Sequence, residues 1–199
     1  MRKLVLEVQI SIDGYIAETD GKTDWMIWNW GPEWKWDQAL RTYHTDLTKS
    51  ADCFLISRQM AEEGFIAHWA HVSQNPDDPR YSFAKHISDT PRVVFSKTLK
   101  KSKPIPGGWQ NTDLASGDVV EEVLKLKGQK GKNMLVYGGA TLVSSLINAQ
   151  LVDELHLIIN PVALGKGLPI FNDRQHMNLV TAKSFDSGIV VLHYERKPN

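Results

Sequence analysis

The 199-residue chain has a single cysteine, no excess of charge of either sign and no long apolar run. One thiol, Cys53, makes neither an internal disulfide nor a thiolate zinc site, so a disulfide framework is excluded and a reducing, cytoplasmic setting is expected. Its neighbours in ADCFLIS suit a buried strand. Lys and Arg number 23, as do Asp and Glu, and this balance excludes the basic stripe that nucleic-acid backbones require. Glu7 and Gln9 interrupt the apolar start, and no run reaches the roughly 18 residues of a membrane span. Neither nucleic acid nor membrane is therefore an expected partner, and the length suits one globular domain covering the whole chain.

What the chain does contain is an alternation of strand and helix patterns. Residues 4–12 place Leu4, Leu6, Val8, Ile10 and Ile12 on one side of a strand, followed by the turn signal Asp13-Gly14. Pro32 suits the first turn of a helix carrying Trp36, Leu40, Tyr43 and Leu47 on one face and ending near Ser50. Residues 53–57, 92–96, 109–115 and 133–137 read as strands. Helices are expected after the first, over 58–69, then over 118–128, and after Gly138-Gly139; 71–80 reads as a loop. Beyond residue 150 the pattern is mostly β, with 178–185 and 188–196 joined by the turn Asp186-Ser187-Gly188. The expected class is α/β, a mixed, mainly parallel sheet flanked by helices with an antiparallel hairpin at its C-terminal end.

In such sheets ligands collect outside the carboxyl ends of the strands, and three strand ends carry suitable groups. In NMLVYGGATLVSSL, Gly138 and Gly139 open a helix whose free N–H groups suit a pyrophosphate, although a tight structural turn explains the glycines as well. In LISRQM, Arg58 starts a helix where its guanidinium suits a phosphate, or simply faces solvent. In VVFSKTLKK, Ser96, Lys97 and Thr98 suit the 2′-phosphate of an adenine dinucleotide, or form a solvated basic loop.

ISIDGYIA, LISRQM, VVFSKTL and, above all, YGGATLVSSLINAQLVDELHLIINPVALGKGLPIF occur in the order seen in one family. The chain resembles the dihydrofolate-reductase-like superfamily, in the branch of the riboflavin-biosynthesis reductases, the RibD C-terminal domain, as a stand-alone member. That resemblance implies an NADPH-dependent reductase fold and a homodimer with the later strands in contact. It implies that Ile16 and Ala17 lie beside the nicotinamide and that Arg58, Gln59 and Met60 face the cofactor phosphates. It places Ser96, Lys97 and Thr98 at the adenosine phosphate, and Gly138, Gly139, Ala140, Thr141 and Leu142 at the pyrophosphate. Asp13 is similar to the aspartate that faces substrate, and is the expected polar contact or proton relay. Ser57 departs from the family, which usually has glycine before the arginine. The zinc deaminase signature found in bifunctional relatives is absent, since one cysteine cannot supply it.

Trp25, Trp28, Trp30, Trp34 and Trp36, five of the seven tryptophans, crowd one twelve-residue window. Two readings stand side by side: Trp25, Trp28 and Trp30 as aromatic walls over the reacting rings, or the whole group as packing of a long loop and a helix start. His68 and His71 have helical spacing but no evident third metal ligand, and His156 and His193 read as structural, so no metal is expected. The expected activity is NADPH-dependent reduction of a small planar heterocycle of pterin or pyrimidine type. The alternative is a non-catalytic, dinucleotide-binding dimer of the same fold.

Overall fold

The computed structural model describes residues 1–197. Its main sheet has eight strands in the order β5-β4-β3-β6-β1-β7-β10-β9. These are β1 (Leu4–Ile10), β3 (Ala51–Ser57), β4 (Arg92–Phe95), β5 (Thr112–Ala115), β6 (Asn133–Val136), β7 (Glu154–Ile159), β9 (Met177–Ser184) and β10 (Val190–Arg196). The strands from β5 across to β7 are parallel, and β10 and β9 continue the sheet antiparallel. A second, two-stranded sheet pairs β2 (Tyr15–Ala17) with β8 (Leu168–Pro169). The expected mixed, mainly parallel α/β class with its terminal hairpin is the observed one.

Among the described residues six helices cover the sheet: α1 (Gln38–Lys49), α2 (Arg58–Glu62), α3 (Phe65–Val72), α4 (Tyr81–Asp89), α5 (Val119–Gly128) and α6 (Ala140–Asn148). One core joins α1, α3 and α4 to the sheet face that carries Val5, Phe54 and Ile158. The other joins α5 and α6 to the face that carries Leu4, Leu6 and Val136. Because β1 lies in the middle of a parallel sheet covered on both sides, its alternate positions are buried as well, Val5 and Glu7 included. The strand ends at Ile10 and leaves Ile12 64% exposed, which shortens the expected span.

Several helix boundaries differ from the sequence reading. Helix α1 begins at Gln38 rather than near Pro32, because Asp37 is its N-cap and accepts a hydrogen bond from Leu40 N at 2.9 Å. The stretch 58–69 is two helices, divided where Gly64 adopts φ 99°. Helix α4 was not foreseen; it buries Phe83, Ala84 and Ile87 against the first core. Among the described residues no helix is long and apolar enough to cross a membrane.

Candidate functional site

A cleft of about 940 Å³ opens along the carboxyl ends of the parallel strands. At one end the chain leaves β3 through Ser57, Arg58, Gln59 and Met60, leaves β4 through Ser96, Lys97 and Thr98, and enters α6 through Gly138 to Leu142; all of these line the wall. Ile16 and Ala17 from β2 line it too. The residues that the resemblance grouped around a cofactor, scattered from 16 to 142 in sequence, thus share one surface.

The local reasons are legible. Helix α6 has no side-chain cap, so its first turn presents backbone N–H groups and the positive end of its dipole. Gly139 sits at φ 80°, and a Cβ there would collide with the Cβ of Ser57 and lie 2.5 Å from its Oγ. Ser57 in turn caps α2, accepting from Met60 N at 3.2 Å. The serine that replaces the family's glycine is therefore accommodated by the glycine of the neighbouring turn. Arg58 is about half exposed and reaches Glu62 at 3.0 Å, while Lys97 is exposed at the rim.

The other end of the cleft is aromatic and polar, and sequence reasoning missed most of it. Trp28 and Trp36 are 3% and 1% exposed, and both line the cleft together with Trp30 and with Trp69 of α3. Trp28 stacks on Trp34 at 5.2 Å and meets Trp36 edge-on at 4.9 Å. Trp28, Trp30 and Trp36 thus both pack the loop and line the cleft. Trp25 does not line the cleft. The loop is pinned by Arg80, which is buried, bonded to Asp78 and donates to the carbonyls of Trp30 and Gly31 at 3.1 and 2.8 Å.

Between these walls stand Glu7 of β1 and His44 of α1, both buried and both lining the cleft. His44 Nδ1 donates to Glu7 Oε1 at 2.7 Å, leaving Glu7 Oε2 and His44 Nε2 without hydrogen-bond partners among the described residues. The indole Nε1 atoms of Trp36 and Trp69 are also buried and unpartnered. Buried polar atoms are normally satisfied, and these four belong to side chains that line the cleft. Tyr137, nearby, bonds to Thr48 at 2.6 Å; burial, then the Glu7 charge, push its phenol far up, so it stays protonated. Glu7 passed unnoticed in the sequence because it occupies a strand position of ordinary alternation, and His44 because its helix had no known neighbour.

Asp13 is placed elsewhere. It is exposed, does not line the cleft, and accepts from Ser11 Oγ at 2.6 Å and from the backbone N–H groups of Leu164 and Gly165 at 3.1 and 2.7 Å. The Ser11 hydroxyl first, then the Leu164 amide, hold its carboxyl at about 2. A carboxylate with its lone pairs engaged in this way staples the loop that carries Leu164 and Gly165. His68 and His71 lie on α3 without a third ligand among the described residues; His68 stacks beside Trp30 at 6.2 Å.

Comparison with known proteins agrees with this architecture. The Bacillus subtilis (strain 168) protein YyaP is 32% identical over 197 residues, covering 97% of this chain and 94% of its own. A putative riboflavin biosynthesis protein from Shewanella sp. PV-4 superposes with a TM-score of 0.68 at 23% identity, over 98% of this chain and 99% of that one. A Thermotoga maritima diaminohydroxyphosphoribosylaminopyrimidine deaminase/5-amino-6-(5-phosphoribosylamino)uracil reductase superposes with a TM-score of 0.64 at 15% identity, over 98% of this chain and 57% of that one. The family pattern of the RibD C-terminal domain matches residues 2–191, and the chain belongs to that family.

Proposed function

We propose that the protein is an NADPH-dependent reductase acting on a small planar heterocycle that carries both ring N–H and carbonyl groups. The observation that carries this reading is one cleft with an uncapped helix start and basic rim at one end and, at the other, aromatic walls beside Glu7 and His44, whose side chains keep unpartnered polar atoms. The glycine turn and free helix start fit a pyrophosphate, and Lys97 and Arg58 fit a further phosphate. When bound, the nicotinamide supplies hydride to the substrate ring. Glu7 Oε2 accepts from a ring N–H; Trp36 and Trp69 donate to carbonyl oxygens; and His44, oriented by Glu7 Oε1 through Nδ1, delivers the proton that accompanies reduction from Nε2. Trp28, Trp30 and Trp36 flank the ring and exclude water.

The reading includes a homodimer. The edge strand β9 is almost wholly exposed, with Leu179 and Val180 55% and 46% accessible, which suits a second copy of the chain. Titration of tryptophan fluorescence with NADPH and NADH tests the cofactor, and consumption of NADPH with pyrimidines and pterins tests turnover. Lys97→Ala is expected to weaken NADPH much more than NADH. Equal losses refute the role of Lys97, quenching by neither cofactor refutes the site, and binding without turnover favours the non-catalytic alternative.

A further inference from the structure

A second cluster of ionisable groups lies outside the cleft, on the sheet face beneath α1. Glu154 and His156 stand two residues apart on β7 and share that face. His193 of β10 is in register with His156, so the antiparallel pairing brings the two imidazoles side by side with ring centroids 4.1 Å apart. Glu154 Oε2 lies 3.7 Å from His156 Nε2 and 3.5 Å from His193 Nε2, and one ligand atom from each residue falls within 4.8 Å of the others.

We propose that Glu154, His156 and His193 form a binding site for a first-row divalent metal ion of the zinc type, clamping β7 to β10. Among the described residues neither Nε2 has a hydrogen-bond partner, although the His156 side chain is only 5% exposed. Imidazole nitrogens shut away from water, with no hydrogen bond and only the Glu154 carboxylate at ion-pair distance, make a costly arrangement that a cation shared by all three resolves. His156 Nδ1 is bonded to the Tyr43 hydroxyl of α1, the outer contact that fixes a ligating imidazole and leaves Nε2 to the metal. Lys3 takes the other carboxylate oxygen, Oε1, at 2.5 Å, so Oε2 is the one that faces the histidines. Glu195, opposite Glu154 on β10 and 3.6 Å from Lys3, offsets the lysine charge, so the neighbourhood has room for a cation.

The donor set selects the ion. Two imidazoles and one carboxylate suit zinc-like metals rather than calcium or magnesium, which take all-oxygen sets. Bonds of about 2.0–2.1 Å in a tetrahedron place ligand atoms roughly 3.3–3.4 Å apart, so the two oxygen–nitrogen separations need to close by a few tenths of an ångström. Because the two imidazoles are stacked 15° from parallel, the His193 ring must also rotate for both Nε2 lone pairs to converge on the ion. His193 is 17% exposed and provides the entry and the adjustment. Three protein ligands leave a fourth position for water. None of the three residues lines the cleft, so the site is independent of the reductase reading.

The test is titration of chelator-stripped protein with Zn²⁺ by calorimetry and with Co²⁺ by visible absorption. One equivalent per chain is expected to bind, with an intense, tetrahedral Co²⁺ spectrum that Zn²⁺ abolishes. His193→Ala and Glu154→Gln are expected to weaken Zn²⁺ at least 100-fold, and Tyr43→Phe about 10–100-fold. Glu154→Gln keeps the side-chain shape, so it remains informative if the histidine variant fails to fold. Absence of one-to-one binding, or binding that survives Glu154→Gln in a protein with native circular dichroism, overturns the proposal.

Discussion

One methyl group added at Gly139 gives a direct probe of the strand-end turn. The residue sits at φ 80°, where a side chain costs roughly 1–3 kcal/mol. The new Cβ would also fall on Ser57, 2.5 Å from Oγ, and overpacking of that kind costs roughly 1–3 kcal/mol. Gly139→Ala is therefore expected to lose roughly 2–6 kcal/mol, a large share of the 5–15 kcal/mol typical of a whole protein. Ser57→Gly alone removes the α2 cap contact and is expected to cost only a few tenths of a kcal/mol. In the double variant the overlap disappears and the backbone strain stays, so the two changes should couple favourably by roughly 1–3 kcal/mol. Guanidinium unfolding followed by tryptophan fluorescence measures all four proteins, with unchanged m showing that stability alone has moved. A Gly139→Ala protein within about 0.5 kcal/mol of the parent, or a double variant no more stable than Gly139→Ala, would refute the reasoning.

Further outcomes follow from other contacts. Arg80→Met removes the guanidinium from Asp78 and from the Trp30 and Gly31 carbonyls and is expected to cost about 3 kcal/mol, seen as a lower unfolding midpoint; an unchanged midpoint argues against Arg80 as the anchor of the tryptophan loop. Glu7→Gln should retain NADPH binding while lowering kcat at least ~100-fold on whichever heterocycle is reduced, and an equal loss of cofactor affinity would contradict its place at the substrate end. Burial pushes the Cys53 thiol up to about 11, so native protein at pH 8 should react with a disulfide reagent at least ~100-fold more slowly than unfolded protein. Asp13 is held at about 2, below its ordinary 3.8, so its stapling of Leu164 and Gly165 is fully present above 3.8 and is lost as pH falls through 2. Hydrogen exchange at those two amides should show that loss of protection, and Asp13→Asn should show it at neutral pH.

Strand existence and type were legible because period-two patterns and short apolar runs survive any neighbour: β3, β4, β6 and the hairpin lie within a residue or two of where the pattern puts them. Helix starts were less so. Pro32 is a plausible first-turn residue, yet Asp37 has the side chain that ties down an N–H, and it sets the boundary. Helix α4 follows a stretch of Pro, Asp and Arg that reads as loop, and its apolar face is short. Glu7, His44, Glu154, His156 and His193 were present in the sequence as isolated residues whose chemistry depends on which strand lies beside which.

Local patterning by itself determined the alternation of strands and helices, the glycine-led helix start and the grouping of basic residues at strand ends, since these rest on backbone geometry and nearest neighbours. Only the tertiary structure decided which groups meet. Strand order set β1 between β6 and β7, which buries Glu7 under α1 against His44. Antiparallel register, a property of two strands some forty residues apart, set His193 beside His156. The loop after β7 came back to meet Asp13, whose oxygens accept from two of its backbone amides.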